Sequence, residues 1–146
     1  MANAKFSQGF RDNMLSGTTA IETAFDTTGV LEFRDGTQPT SANDAPVGSV
    51  IASITLPASA FAAISNGVLS KDTAAWEDLS ADATGTPTWF RLKTGGDLGT
   101  TNTTDIRLDG DITTVAVGTG DLQMSSTSVT ITDKITVDTF TITVPE

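Results

Sequence analysis

The sequence predicts an all-β fold: an antiparallel β-sandwich, jelly-roll or immunoglobulin-like in character, with a short helical segment at its N-terminus. Three observations carry that expectation. Threonine fills 27 of the 146 positions, and its branched Cβ suits a pleated strand. From Gly29 onward, short alternating apolar and polar runs recur between stretches rich in Gly, Pro, Asn and Asp, at the spacing of a sandwich. No helical runs alternate with them, which argues against a parallel α/β sheet.

The first 28 residues read differently. Phe6, Phe10 and Met14 recur at intervals of four and make one narrow apolar stripe, which Ser16 and Gly17 end with a C-cap. In "TAIE", Thr19 as N-cap and Glu22 form a capping box for a second short helix that buries Ile21, Ala24 and Phe25. Helices this short are marginal alone, so the stripe packs either on its own domain or on a neighbouring subunit. The expected organisation is a helical segment over 1–28 and a β-sandwich domain over 29–146.

The strands follow in order. "VLEFR" sets Leu31 and Phe33 on one face and Glu32 and Arg34 on the other. "DGTQPTSANDAPVG", with Pro39 and Pro46, reads as a polar surface loop. "SVIASITL" turns Val50, Ala52, Ile54 and Leu56 inward. In "FAAISNGVLSK", Asn66–Gly67 between two apolar runs signals a hairpin. The Ala-rich half competes as helix, but its direct link through Asn-Gly to "VLSK" favours a strand. "DTAAWEDLSADATGTP" is a loop, with Trp76 covering one end of the core. "TWFRLK" opposes Phe90 and Leu92 to Trp89 and Arg91. "TGGDLGTTNTTD" is a loop of small polar residues, followed by "IRLDGDITTVAVG" and "DLQMSS". In the closing segment the apolar set changes parity, from Val129, Ile131, Ile135 and Val137 to Phe140, Ile142 and Val144. A β-bulge at Asp138–Thr139, after a turn at Asp133–Lys134, restores the core-facing set. A corner at which the strand switches sheets serves the same purpose.

The composition limits the chemistry. The chain has no Cys, His or Tyr and a net charge of −10. Without Cys there is no disulfide framework; without His, the commonest general base and transition-metal ligand is missing. The charge opposes nucleic acid and anionic membranes. No run reaches the ~18 apolar residues of a membrane span, and "MANAKFSQGFRDN" lacks a signal-peptide stretch, so synthesis in the cytoplasm is expected. Lys5, Lys71, Lys93 and Lys134 are scattered at turns and strand ends, away from any activated nucleophile. Asp109 and Asp111 fall on the same side of an extended segment, with Asp97, Asp105 and Asp121 nearby in sequence. Two such acids could bind Ca²⁺, but the spacing fails the EF-hand loop, and turn-forming Asp beside Gly is the plainer reading. "GTGD" and "TGGDLG" match no phosphate-binding fingerprint. Trp76 and Trp89 offer a sugar-binding platform if one stands exposed. The expectation is a protein with no enzymatic activity, no cofactor and no metal.

Four stretches recur together in a known family: "FSQGFRDNML", "GVLEFRDGTQPTSANDAPVGSVIASITL", "ATGTPTWFRL" and "FTITVPE". In content and order they resemble a family of small proteins encoded among the structural genes of tailed bacteriophages. The resemblance spans nearly the whole chain and departs at "IRLDGDI". It implies a virion structural protein with a sandwich core, of capsid decoration or cement type, or else a tail, neck or fibre-associated component. A carbohydrate-binding module is the remaining alternative. The implied partners are the major capsid protein or other virion proteins, with a homo-oligomer expected and neither nucleic acid nor membrane bound. Cement must bridge neighbours, so Phe6, Phe10 and Met14, together with Pro39 and Pro46 in their loop, are the expected partner contacts. Strand edges are a further expected place for a neighbour's strand to pair.

Overall fold

Among the described residues, period-two alternation becomes ten strands, and of the N-terminal stripe Phe10 and Met14 fall on one of two helices while Phe6 lies on a short strand before it. The computed structural model describes residues 3–17, 19–26 and 28–143, so Val144 and the terminal Pro145 and Glu146 of the closing run lie outside the described residues. In chain order the elements are β1 (Lys5–Phe6), α1 (Gln8–Ser16), α2 (Ile21–Phe25), β2 (Val30–Arg34), β3 (Val50–Thr55), β4 (Val68–Ser70), β5 (Glu77–Asp78), β6 (Trp89–Lys93), β7 (Arg107–Thr114), β8 (Leu122–Met124), β9 (Ile135–Thr136) and β10 (Thr139–Thr143). Among the described residues the regular structure is thus mostly β-sheet, with two helices. Eight strands form one mixed sheet, ordered β3-β2-β6-β7-β8-β10-β4 with β1 also on β7, and β5 pairs with β9 in a small second sheet.

Ser7 starts α1, its Oγ accepting from the Phe10 amide at 3.0 Å. The same hydroxyl donates to the Asp105 carbonyl at 2.7 Å and accepts from the Arg107 amide at 3.0 Å, which ties the helix start to β7. Gly17 ends the helix at φ 61°, as its left-handed cap requires. The second helix departs from expectation. Its N-cap is Ala20, with no side-chain cap. Thr19 belongs to the connection instead, where its carbonyl accepts from Asn13 Nδ2 at 2.7 Å.

The expectation of a purely antiparallel sheet fails at one ladder: β7 and β8 run parallel, with Ile112 opposite Leu122. Such pairs normally need a crossover of a dozen or more residues, but here the short 115–121 link suffices. Val115 donates to the Met124 carbonyl, and Gly120 donates to Thr113 Oγ1 at 2.9 Å. A Cβ on Gly120 would stand 2.7 Å from the Thr113 nitrogen, so this tight return depends on glycine there.

The parity change in the closing segment is a sheet switch rather than a bulge at Asp138–Thr139. Ile135 and Thr136 pair with β5, while Thr139–Thr143 lies between β8 and β4. Across the corner, Val137 donates to the Trp76 carbonyl and Asp138 to that of Gln123. The register irregularity lies instead between Phe33 and Arg34, opposite β3. It puts Ile51 into the core and leaves Val50 half-buried, correcting the inward assignment of Val50.

Leu31, Phe33, Phe90, Leu92 and Leu108 share one face and are wholly buried. They belong to a single core with an aromatic cluster in which Trp76 and Phe140 lie 5.3 Å apart and Phe90 and Phe140 5.5 Å apart. Both outer strands of the large sheet are engaged by the chain itself. Asp82 and Ala83 donate to the Ile51 carbonyl beside β3, and Ala62 donates to that of Ser70 beside β4. Asn66 (φ 51°) and Gly67 (φ 70°) make the expected turn before β4. Each outer edge is therefore partly occupied by the chain's own loops.

Candidate functional site

Alternation on β2, β6 and β7 that buries leucines and phenylalanines on one face sends charged side chains to the other. Register then sorts them: Arg91 lies opposite Glu32 on one side and Asp109 on the other, and Lys93 lies opposite Arg107. Arg91 grips Asp109 with two hydrogen bonds of 2.7 Å, and both side chains are fully buried. Arg107 makes the same forked contact with Asp97 and reaches Asp105 at 2.8 Å. Glu32 takes Arg34 at 2.8 Å and Lys93 at 2.6 Å.

A loop closes this face. The carbonyl of Asp44 accepts from Arg91 Nη1 at 2.9 Å, and that of Asn43 from Arg107 Nη1 at 3.3 Å. Trp89 donates through Nε1 to the Asp35 carbonyl at 3.0 Å, and its ring lies under Arg34 and Arg91. The 35–49 stretch, expected as a surface loop, is thus a lid with Ala42 and Pro39 buried in it. Two fully buried guanidiniums require oxygen partners, and the loop backbone supplies them.

The carboxylates respond to these surroundings. Burial alone would raise Asp97, but hydrogen bonds from Arg107 and the Gly99 amide outweigh it and hold the carboxyl below its ordinary value. Glu32 is likewise lowered, with Lys93 and Arg34 overriding its burial. Asp109 moves the other way, because its desolvation exceeds the pull of Arg91. Asp121 is raised by burial and by the neighbouring Asp111 carboxylate. Asp111 is lowered despite its burial, since the Asp121 amide and Asn3 donate to it.

These contacts bear on two alternatives from the sequence. Asp109 and Asp111 do share a face, but Arg91 occupies both Asp109 oxygens. Among the described residues, no group of three or more acidic side chains is placed to hold a metal ion. Trp76 and Trp89 are each 1% exposed, so neither presents a flat face to a sugar. The charged face is a structural clamp.

The expected partner contacts separate. Phe10 is a core residue, 1% exposed, with its ring 4.7 Å from Phe6 and 6.2 Å from Phe25; the stripe packs on its own domain. Pro39 is buried and its carbonyl accepts from Lys5 Nζ, while Phe6 and Pro46 are half-buried. Met14 reaches the surface at 38% exposure. Beneath it lies an apolar cleft of about 410 Å³ between the helices and the β4 hairpin, with Phe10, Ile21, Ile64, Leu69 and Ile142 among its walls. Ile64, exposed beside the Asn-Gly turn, has no counterpart among the expected contacts. Its only signal in the sequence is a large apolar residue next to a turn. No protein-family model matches the chain, and neither a curated protein nor a solved structure matches it.

Proposed function

We propose that this chain is a structural protein of a tailed-bacteriophage particle: a capsid decoration or cement protein that binds and stabilises the shell of the major capsid protein. In this reading the β body is a sandwich, made in the host cytoplasm and resident in the virion as a homo-oligomer. The resemblance of four ordered stretches supports the assignment. The structural observation that carries it is where the exposed large apolar side chains stand. Leu15 on α1 and Leu98 in a loop are each 88% exposed, and Leu79, Val117 and Ile64 also project outside the strands. Each of these side chains would gain burial against a protein surface, and repetition over a shell makes modest contacts sufficient. The net charge of −10 keeps the protein away from the packaged genome.

The test is the copy number of this protein in purified particles relative to the major shell protein. A ratio near one, or a simple fraction of it, is expected. A handful of copies per particle would assign the chain to the tail, neck or fibres instead, and absence from particles would overturn the reading.

A further inference from the structure

We propose that Asn66 is a site of spontaneous modification, where the side-chain amide cyclises onto the Gly67 nitrogen and water opens the ring to aspartate or isoaspartate. In the first step the Gly67 nitrogen bonds to Asn66 Cγ and the Cγ–Nδ2 bond breaks. Nδ2 leaves as ammonia, taking the proton that the Gly67 nitrogen gives up. Water then cleaves one of the two ring C–N bonds. Cleavage at Cγ leaves aspartate; cleavage at the main-chain carbonyl leaves isoaspartate, joined to Gly67 through Cγ. Water replaces ammonia overall, so no oxidant, reductant or enzyme is required.

The chain has five asparagines and one Asn-Gly pair, and the structure holds every asparagine side chain but this one. Asn3 donates to Asp111 at 3.0 Å and Asn13 to the Thr19 carbonyl at 2.7 Å. Asn43 accepts from the Gln8 amide at 2.8 Å and Asn102 from the Thr104 amide at 2.7 Å. Among the described residues, the Asn66 side chain makes no hydrogen bond and the Gly67 amide donates none. Both residues are exposed, and glycine has no side chain to shield its nitrogen. The two Asp-Gly pairs could form the same ring with loss of water, but their carboxylates are held. Asp35 Oδ1 accepts from the Ser49 amide at 2.6 Å. Asp109 is fully buried with both oxygens on Arg91.

The turn makes the two products unequal. Asn66 (φ 51°) and Gly67 (φ 70°) form a two-residue loop. Ser65 and Val68 close it, each amide donating to the other's carbonyl, at 3.1 and 2.9 Å. Such a loop suits a hairpin because its backbone twist matches that of the flanking segments. Aspartate keeps the main-chain length, whereas isoaspartate adds a methylene and opens the Ser65–Val68 pair. Val68 is the first residue of β4, so isoaspartate loosens the start of an outer strand of the large sheet. The inference rests on the hairpin alone and is independent of the assignment to a phage particle.

The test is peptide mapping by mass spectrometry of the full chain, aged in its folded state at mildly alkaline pH in water enriched in heavy oxygen. Asn66 is expected to convert first and to carry the heavy oxygen. The other four asparagines should convert about tenfold more slowly, because a hydrogen bond must break before their rings can close. Asn66→Gln should remove the early conversion, since its longer side chain cannot form the five-membered ring. In amide hydrogen exchange the isoaspartate form should lose protection at Ser65 and Val68 while Leu31 and Leu92 keep theirs. Asn66→Asp, with an unaltered main chain, should retain protection at all four. An Asn66 that stays intact, another asparagine converting as fast, or ring formation at Asp35 or Asp109 at the rate of Asn66 would overturn the proposal. So would unchanged protection of Ser65 and Val68 in the isoaspartate form.

Discussion

On one face of β2, β6 and β7, Leu31, Phe33, Phe90, Leu92 and Leu108 join the core that holds Trp76 and Phe140. On the other, the intervening residues Glu32, Arg91, Lys93, Arg107 and Asp109 join one another and the carbonyls of the 35–49 lid. The strands are the same; the forces are not. Apolar burial is non-directional and grows with area, so the first face needs only residues of fitting size. The second face works through matched atoms, since a fully buried guanidinium must find an oxygen for its N–H groups. An ion pair of this kind adds little net stability over an apolar replacement, because desolvation offsets the Coulomb attraction. It does hold a polar loop without regular secondary structure in one place.

The sharpest way to break the comparison is Arg91→Ala, which strands Asp109. A loss of about 3–5 kcal/mol is expected in urea unfolding. Replacing the pair together, with Arg91→Met and Asp109→Leu, should be neutral or stabilising. A double variant as weak as the single one would mean that the pair contributes more than loop placement. Its neighbour on the opposite face, Leu92→Ala, should cost about 2–5 kcal/mol through lost burial and a cavity, and the cost should not vary with pH.

Acid should act on the charged face specifically. Asp97 and Glu32 titrate lower in the folded chain than in the unfolded one. The stability they lend is therefore complete above the ordinary carboxylate pKa of about 4 and drains away as pH falls toward their folded values. Asp109 and Asp121, raised in the folded chain, offset part of that loss. Melting temperature measured from neutral pH downward should fall below about pH 4, and Asp97→Asn should flatten the slope. An unchanged slope in that variant would remove Asp97 from the account.

The smallest expected effect is that of Met14 at the exposed end of the N-terminal stripe. Phe10→Ala should cost about 3–5 kcal/mol, whereas Met14→Ala, one turn away, should stay within about 0.5 kcal/mol. Equal effects would contradict the division of that stripe between core and surface.

Much of the fold was legible because local rules dominate where the chain contacts itself at short range. The alternation of Leu31 with Glu32 and Phe90 with Arg91, the Gly17 cap and the Asn66–Gly67 turn follow from the residues and their immediate neighbours. The Thr19 cap did not hold: the second helix starts one residue later, with Ala20 at its N-cap, and Thr19 lies in the connection, where its carbonyl accepts from Asn13. The expected contact set was legible only in part: periodicity marked Phe6, Phe10 and Met14 as one stripe without telling which end of it faces the core. Ile64 became a cleft residue only once the hairpin and the second helix came together.

The amino-acid sequence alone determined that this chain is β-rich, which residues share a strand face, and that charges alternate with apolar residues on the central strands. Side-chain period and turn chemistry act over a few residues and need no distant partner. Tertiary structure alone decided that Arg91 meets Asp109, that Arg107 meets Asp97, and that the 35–49 loop closes over them. It also decided the parallel return of β8 and the change of sheet at Val137–Asp138. Each of these depends on strand order and register, set when non-local segments bury their apolar faces together, and no window of neighbouring residues carries that information.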